Sequence, residues 1–252
     1  MNKDEQLMEK RLIELANIAY NRNIPVYTDF LNLNEQNVYY NISKNLMPPV
    51  GAKPMGGYNL AERKIIAFYP YEMEEYLEYP YTVISIRPLN SRFAEELTHR
   101  DFLGAIMNLG IERSKIGDII VKKDICYVLC IKSIAAYIMD NLARIRNTSI
   151  ITSLDDVDEI DYEPVFEEIK GTVAALRLDC ILALAYNSSR SKLTSYITEG
   201  KVFVNGKLIT SNAYNLKDGD IISVRGLGKF KYMEEITKTK KNKLLITINR
   251  YK

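Results

Sequence analysis

The fold of the C-terminal third is decided by the stretch RLDCILALAYNSSRSKLTSYITEGKVFVNG, which runs from Arg177 to Gly206. Its opening Arg-Leu-Asp leads a predicted short helix that continues to Tyr186. Ser189 is placed to cap a second helix over residues 190–199, and Gly200 is placed to end it. The stretch therefore predicts two short helices followed directly by a strand.

A β-sheet is predicted for the remainder of this third. Val202 and Val204 alternate with other residues as in a strand, and Asn205-Gly206 favours a type I′ hairpin turn because both residues tolerate positive φ. Further strands are expected over residues 207–210, 221–225 and 244–248, with a turn at 217–220. Helices followed by strands indicate a small αα-β domain over residues 171–252.

Charge separates the chain into two parts. The 252 residues carry 34 Lys+Arg and 32 Asp+Glu, yet residues 166–252 hold 16 of the basic and only 8 of the acidic side chains. A basic terminal third on an acidic body is expected of a nucleic-acid-binding module attached to another domain. The acidic run at 155–164 predicts a solvated linker over residues 156–170, or simply a charged loop.

Residues 81–155 predict a ferredoxin-like domain with the element order βαββαβ, the scaffold of RNA-recognition motifs. Thr98 is expected to cap the first helix together with Asp101. A second helix is expected over residues 133–146. The strands lack the paired aromatic residues that stack bases in RNA-recognition motifs, so base stacking on this sheet is not expected.

Residues 1–80 predict an N-terminal region of mixed α/β character, which makes the fold class of the whole chain α+β. Apolar residues from Met8 to Ala19 predict an amphipathic helix that ends near residues 21–23. Asn34 could cap a second helix, and residues 48–57 are expected to form a loop. A tyrosine cluster follows without flanking Lys or Arg, so packing or protein contact is favoured over base stacking for Tyr69, Tyr71, Tyr76, Tyr79 and Tyr81.

The sequence offers few residues that could bind a metal ion or act as a catalytic nucleophile. Cys126, Cys130 and Cys180 lack CxxC spacing and His99 is the only histidine, so we expect no metal site, no catalytic residue and no cofactor. The cysteines are expected to act as small buried hydrophobes. No stretch approaches 18 consecutive apolar residues, and the start lacks a signal-peptide pattern. A cytoplasmic protein without a membrane partner is therefore expected.

Four motifs stand in order in the C-terminal third: Arg177-Leu178-Asp179, Ser189-Arg190, Gly200-Lys201-Val202 with Val204-Asn205-Gly206, and Gly219-Asp220-Ile221. Together they resemble the RNA-binding domain named after the fourth small-subunit ribosomal protein. The N-terminus of the second helix offers free N–H groups and the Arg190 cation to phosphate. Asp179 is expected to cap a helix or pair with an arginine rather than to contact RNA.

The resemblance and the positions of the basic side chains predict an RNA-binding surface. It comprises Arg177, Ser189, Arg190, Lys192, Lys201, Asn205, Lys207, Arg225 and Lys229. Arg190 and Lys192 have the weakest structural explanation and are the first expected contacts. His99 and Arg100, in the first turn of a predicted helix, are candidates for a secondary contact.

Further motifs extend the resemblance over nearly the whole chain. They lie at residues 56–58 (GGY), 61–64 (AERK), 98–105 (THRDFLGA), 108–111 (NLGI), 116–119 (IGDI) and 225–230 (RGLGKF). In this order they resemble the bacterial YlmH family. The resemblance implies a ferredoxin-like middle domain, association with the large ribosomal subunit and tRNA, and a part in rescuing stalled ribosomes that carry nascent chains.

Catalysis is the main alternative. Pseudouridine synthases place this RNA-binding domain before a catalytic domain, and no matching catalytic Asp motif is found. The nucleotide-binding motifs of a tyrosyl-tRNA synthetase are absent, and Gly56-Gly57 lacks the spacing and preceding strand of a methyltransferase cofactor turn. An RNA-modifying enzyme, such as a pseudouridine synthase or methyltransferase type with an unrecognised site, stays open, as does a cell-division-linked interaction protein.

The sequence thus predicts a non-catalytic protein that binds structured rRNA of the large ribosomal subunit and tRNA, peptidyl-tRNA included. Ribosome-associated quality control is the expected process. The acidic N-terminal body is expected to meet another part of the ribosome or a protein partner.

Overall fold

The chain begins with the predicted amphipathic helix, α1 (Lys3–Arg22), which buries Leu12 and Leu15. The computed structural model describes residues 3–42, 48–58, 60–156, 160, 165–239 and 242–251. The chain divides into two units, Met1–Tyr162 and Glu163–Lys252, and its fold class is α+β as the sequence predicts. No helix within the described ranges is long and apolar enough to cross a membrane.

The N-terminal region of the first unit places helices on a small sheet. Its further elements are α2 (Leu33–Ile42), β1 (Val26–Tyr27), β2 (Gly51–Met55) and β3 (Ile65–Tyr69). The strands stand in the antiparallel order β1-β3-β2. Residues of α1 and α2 pack with Ile66 and Phe68 of β3 in one apolar cluster.

Two sequence expectations in this region are wrong. The predicted loop 48–57 contains strand β2, because β2 is an edge strand and an edge tolerates Pro54. The cap of α2 is Asn32 rather than Asn34: its Oδ1 accepts a hydrogen bond from the Glu35 N–H at 3.0 Å, and the Glu35 carboxylate accepts one from the Asn32 N–H.

The middle domain has the predicted ferredoxin-like topology. Its elements are β4 (Tyr81–Pro88), α3 (His99–Met107), β5 (Ile116–Val121), β6 (Cys126–Ile131), α4 (Lys132–Asn141), β7 (Arg144–Ile145) and β8 (Thr148–Asp155). The strand order is β5-β6-β4-β8-β7, with antiparallel neighbours. The Asp101 carboxylate accepts hydrogen bonds from the N–H and the hydroxyl of Thr98, which confirms the predicted cap.

The helix predicted over 133–146 is too long. Helix α4 ends at Asn141, and the chain then forms the hairpin of β7 and β8. Arg146 lies in the turn of this hairpin with φ 51°, a left-handed conformation that a helix cannot contain. The error arises because Arg144-Ile145-Arg146 has no glycine or proline to mark the turn.

Both faces of the central strands β4 and β6 of the middle sheet are buried, whereas Ile151 on the outer face of β8 is exposed. One face packs against α3 and α4 through residues such as Ile84, Phe102 and Ile138. The opposite face packs in a second cluster that includes Phe30, Ile65, Val83, Tyr127 and Leu129. The central part of the face on which RNA-recognition motifs stack bases is therefore covered here by the N-terminal region.

A polar network joins the N-terminal region to the middle domain. The Asp118 carboxylate accepts hydrogen bonds from the Tyr58 hydroxyl at 2.8 Å and from the Glu62 and Arg63 N–H groups. The Arg63 guanidinium donates to the carbonyls of Phe30 and Ile116. The motifs GGY, AERK and IGDI thus have a structural role in this junction.

The second unit packs a helix pair on one face of a sheet. Its elements are β9 (Phe166–Val173), α5 (Leu178–Ala185), α6 (Arg190–Thr198), β10 (Val202–Val204), β11 (Lys207–Leu208), β12 (Ile221–Val224), β13 (Gly228–Lys238) and β14 (Leu244–Tyr251). The strand order is β11-β10-β12-β13-β14-β9. Residues of α5 and α6 share a core with the inward side chains of the strands, including Val204, Ile222, Phe230 and Ile248.

The predicted linker 156–170 differs from the structure at its C-terminal end. Residues 166–170 belong to β9, which pairs antiparallel with β14 from Phe166 to Val173. The sequence did not predict this strand because its charged residues resemble a linker. Strand β9 lies at the edge of the sheet, where outward-facing residues such as Glu168 and Lys170 are exposed to water. Residues 157–159 and 161–164 lie outside the described part of the chain.

Candidate nucleic-acid interface

A buried carboxylate organises the start of both helices in the second unit. Asp179, in the first turn of α5, has a side chain that is only 5% exposed. It accepts two hydrogen bonds at 3.2 Å from the guanidinium of Arg177, the residue that precedes α5. It also accepts one at 2.5 Å from Nη2 of Arg190, the first residue of α6.

The electrostatics of this group fit an ion-pair cluster. Burial opposes ionisation of Asp179, but the hydrogen bonds and positive charges of Arg190 and Arg177 outweigh it and lower the pKa of Asp179. The hydrogen bond to Asp179 raises the pKa of Arg190. The expected pairing role of Asp179 is confirmed, and Arg190 has a structural partner that the sequence did not predict. Both arginine side chains stay partly exposed to water, 40% for Arg177 and 54% for Arg190.

The N-terminus of α6 is capped and open to solvent. Ser189 accepts a hydrogen bond from the Lys192 N–H at 3.4 Å. The Lys192 side chain is exposed on the same first turn. A helix N-terminus carries partial positive charge, so Arg190 and Lys192 add full charges where an anion is already favoured.

Lys201 and Arg225 are neighbours at one end of the sheet. Lys201 immediately precedes β10, and Arg225 immediately follows β12, which pairs with β10. The Arg225 N–H donates to the Lys201 carbonyl at 2.9 Å. Lys201 pairs with Glu199 at 2.6 Å, which raises the pKa of Lys201, and Arg225 stacks over the Phe203 ring with 4.9 Å to its centroid. These two cations are therefore adjacent through their backbones, while each side chain has a partner of its own.

Asn205 is a structural residue of the hairpin turn. Its φ is 48° and that of Gly206 is 76°, as the predicted type I′ turn requires. The Asn205 amide donates to Asp220 at 2.8 Å and accepts a hydrogen bond from the Ile221 N–H. These contacts tie the turn to the next strand. Lys207, which follows the turn, is exposed in β11.

The predicted RNA-contact residues do not all share one face. Phe230 and Tyr232 of β13 point into the core beneath the helices, so Lys229, which alternates with them, lies on the opposite side of the sheet. There its ammonium group lies 4.4 Å from the centroid of the Tyr251 ring. Phe203 occupies the same open face, between the buried Val202 and Val204.

Sequence reasoning missed the aromatic residues of this open face. Phe203, Tyr251 and Phe166 lie across the sheet, and the rings of Phe166 and Tyr251 are 4.8 Å apart. The alternation of Phe203 with Val202 and Val204 is the signal that could have found the first of them. Together with Arg225 and Lys229 they make a second surface of mixed aromatic and basic character.

His99 and Arg100 begin α3 and are both exposed. Arg100 lines a cleft of the middle domain together with Arg144 and Arg146. The sequence predicted the first of these arginines but not the other two, because it placed both inside a long helix.

The cysteines are buried in the apolar clusters. Cys126 and Cys130 lie inside the middle domain, and burial raises the pKa of the Cys130 thiol to about 12. Burial also raises the pKa of Cys180. Within the described ranges there is no group of three or more His, Cys, Asp or Glu side chains that could hold a metal ion.

Comparison with known proteins agrees with this architecture. A family model described as "Putative RNA-binding domain in YlmH" matches residues 75–159, and the model of the S4 domain matches residues 176–222. The chain is 29% identical over 254 residues to "Ribosome-associated protein quality control protein P2" of Bacillus subtilis (strain 168), an alignment that covers 99% of this chain and 96% of that protein. Residues 75–159 thus match a domain of the YlmH family, and the second unit carries an S4 domain.

Two further similarities concern parts of the chain. The "Small ribosomal subunit protein uS4A" of Clostridium acetobutylicum is 41% identical over 85 residues, which cover 29% of this chain and 41% of that protein. The solved structure "Cell division protein ylmH from Streptococcus pneumoniae" matches with a TM-score of 0.50 and 19% identity, over 64% of this chain and 96% of that chain. The first similarity lies with a ribosomal protein, and the second shows a shared fold.

Proposed function

We propose that this protein belongs to the YlmH family, binds structured rRNA of the large ribosomal subunit together with tRNA, and acts without catalysis in ribosome-associated quality control. The supporting observation is the cluster in which Asp179 orients Arg177 and Arg190 beside the capped N-terminus of α6. Guanidinium groups fixed in this way, with the exposed Lys192, form an array suited to the phosphates of a folded RNA.

The process is proposed from the relative whose name places it in ribosome-associated protein quality control. Retention of a peptidyl-tRNA on the large subunit is the step for which an RNA-binding adaptor is suited, because such a step needs affinity rather than turnover. The cytoplasm is the corresponding location. The first unit, whose residues belong to the acidic part of the chain, is proposed to contact another ribosomal component or a protein partner.

The proposed domain organisation follows the elements. We assign residues 1–80 to the N-terminal region and residues 81–155 to the ferredoxin-like domain. The RNA-binding domain starts at residue 166 rather than 171, because β9 pairs along its whole length with β14. The linker is correspondingly reduced to the residues between 156 and 165.

Co-sedimentation tests the proposed function. The purified chain is mixed with small subunits, large subunits and large subunits that bear peptidyl-tRNA, over a series of salt concentrations. Preferred pelleting with large subunits is expected, with affinity falling by about 0.7–0.9 log units per log unit of salt for each phosphate neutralised. Extra retention on the particles that bear peptidyl-tRNA is expected for a role in quality control.

A matched pair of variants locates the binding surface. Arg190→Ala with Lys192→Ala is expected to weaken pelleting under conditions where circular dichroism shows that the variant is still folded, since Arg190 also pairs with the buried Asp179. Lys217→Ala with Lys238→Ala removes the same charge from exposed positions of the same domain and is expected to leave it nearly unchanged. Absence of binding to either subunit at low salt contradicts the proposal. Turnover of an RNA substrate by the purified chain would instead support an RNA-modifying enzyme.

A further inference from the structure

An open cleft lies on the side of the middle domain that carries α3 and α4. It has a volume of about 640 Å³. One wall is α3 with its C-cap, where Arg100, Gly104 and Asn108 follow at intervals of about one turn. The other wall is the segment from Asn141 to Arg146 in the turn of the β7–β8 hairpin. None of these residues belongs to the cluster around Asp179, which lies in the second unit.

The charges of the cleft are not balanced. Within the described residues, Arg100 and Arg144 have no carboxylate partner. Arg146 lies 3.6 Å from Glu95 and 3.7 Å from Asp101, which leaves three guanidinium groups against two carboxylates. Arg144 and Arg146 are exposed on either side of the buried Ile145, and both line the cleft. An anion is the expected ligand of such a group.

A glycine keeps the floor of the cleft open. Gly104 lies within α3, where glycine is among the least favourable residues, and a Cβ at this position would meet nothing within 4 Å. Close packing therefore does not explain the residue. Its absent side chain allows a bulky group to approach the helix between the arginines.

RNA is favoured as the source of the anion. A family model described as RNA-binding covers this domain, yet on the sheet face that RNA-recognition motifs use, the central strands β4 and β6 are buried against Phe30 and Ile65. RNA contact by this domain therefore needs another surface, and the cleft gathers three of its arginines. Guanidinium groups bind phosphate oxygens in a bidentate manner, which suits the backbone of a nucleic acid.

We propose that this cleft binds a phosphodiester of the RNA backbone and forms a second RNA contact, on the middle domain. Because its ligand is RNA, the inference rests on the proposed function. It adds to that function the surface through which the middle domain contacts RNA.

The test uses the full chain and a short hairpin RNA. Arg100→Ala with Arg144→Ala is expected to weaken binding about tenfold at low salt. The dependence of log affinity on log salt is expected to fall by about 0.7–0.9 for each phosphate that the variant no longer neutralises. Arg92→Ala with Lys123→Ala removes equal charge from the same domain outside this cleft and is expected to change the affinity less than twofold. Gly104→Glu is expected to weaken binding because it places a bulky carboxylate between the arginines. Its control, Gly104→Ala, adds only a methyl group and is expected to change the affinity less than twofold.

A site-resolved measurement separates this inference from the proposed function. In amide NMR spectra of the full chain, the hairpin RNA is expected to shift the signals of Gly104, Arg144 and Arg146, also when Arg190 and Lys192 are replaced by alanine. If the chain binds RNA but these signals stay in place, the inference is wrong while the proposed function stands. If inorganic phosphate shifts these signals but the hairpin RNA does not, the cleft binds a free anion and the inference is wrong. If the unaltered chain binds no RNA, both proposals fail.

Discussion

The carboxylate of Asp179 in α5 accepts a hydrogen bond from Nη2 of Arg190 in α6, eleven residues further along the chain. The same carboxylate holds Arg177 at 3.2 Å. One buried acidic side chain thus fixes two cations and joins the starts of two helices. The motif has a structural and a proposed RNA-binding role that cannot be separated by removing Arg190 alone, because such a change also leaves Asp179 with fewer partners.

Replacement of Asp179 by Asn tests the structural role. Asparagine keeps the shape of the side chain but places an NH₂ donor against guanidinium donors. We expect Asp179→Asn to lower the free energy of unfolding of the second unit by about 1–2 kcal/mol, a modest loss because both arginines are partly exposed to water. Urea unfolding measures it, with Asp218→Asn at an exposed position as the control. An equal effect of both variants would contradict the assignment.

The pKa of Asp179 gives a pH dependence with a defined sign. Since the folded-state pKa is lowered, the ionised carboxylate contributes stability above its unfolded pKa of about 3.9, and this contribution is lost as pH falls through the lower folded value. The difference in unfolding free energy between the unaltered chain and Asp179→Asn should therefore be constant near neutral pH and shrink below about pH 3.9. Urea titrations at several pH values measure it. A difference that persists unchanged in acid would contradict the ion-pair origin.

The sequence predicts the structure best at positions that are determined by an interaction between residues close together in the chain. Asn205-Gly206 needs positive φ and Thr98 pairs with Asp101 three residues away, so both were found. Strand β9 was missed because its pairing partner β14 is more than seventy residues distant and its outward charges resemble a linker. The pairing of Arg190 with Asp179 and the burial of the middle sheet depend on tertiary contacts, which local pattern does not contain.

A pair of fragments tests the extent of the C-terminal domain. A fragment of residues 165–252 contains all of β9, whereas one of residues 171–252 lacks the partners of Thr247–Tyr251 and the ion pair between Glu167 and Arg250. We expect the longer fragment to be more stable by at least about 2 kcal/mol, since the shorter one lacks these hydrogen bonds and the packing of Ile169. Urea unfolding of the two fragments measures this. Equal stability would restore the boundary at residue 171.

Phe30 tests whether the middle sheet is an internal interface. Its side chain is fully buried in the cluster that covers the sheet, and a Cβ on Gly117 would overlap its ring. We expect Phe30→Ala to lower the free energy of unfolding of the first unit by about 3–5 kcal/mol. RNA binding at a temperature where the variant is folded should stay unchanged. A gain or loss of RNA affinity without loss of stability would indicate that the sheet face itself takes part in binding.

Lys192 and Lys229 distinguish the two faces of the S4 domain. Lys192 is exposed on the first turn of α6, while Lys229 lies on the opposite side of the sheet against Tyr251. If the helix pair presents the RNA surface, Lys192→Ala should weaken binding to large subunits several-fold and reduce the salt dependence by about 0.7–0.9, the value for one neutralised phosphate. Lys229→Ala removes the same charge and should have a clearly smaller effect. Co-sedimentation at matched salt compares the two variants, and a larger effect of Lys229→Ala would move the RNA surface to the open face that holds Phe203 and Tyr251.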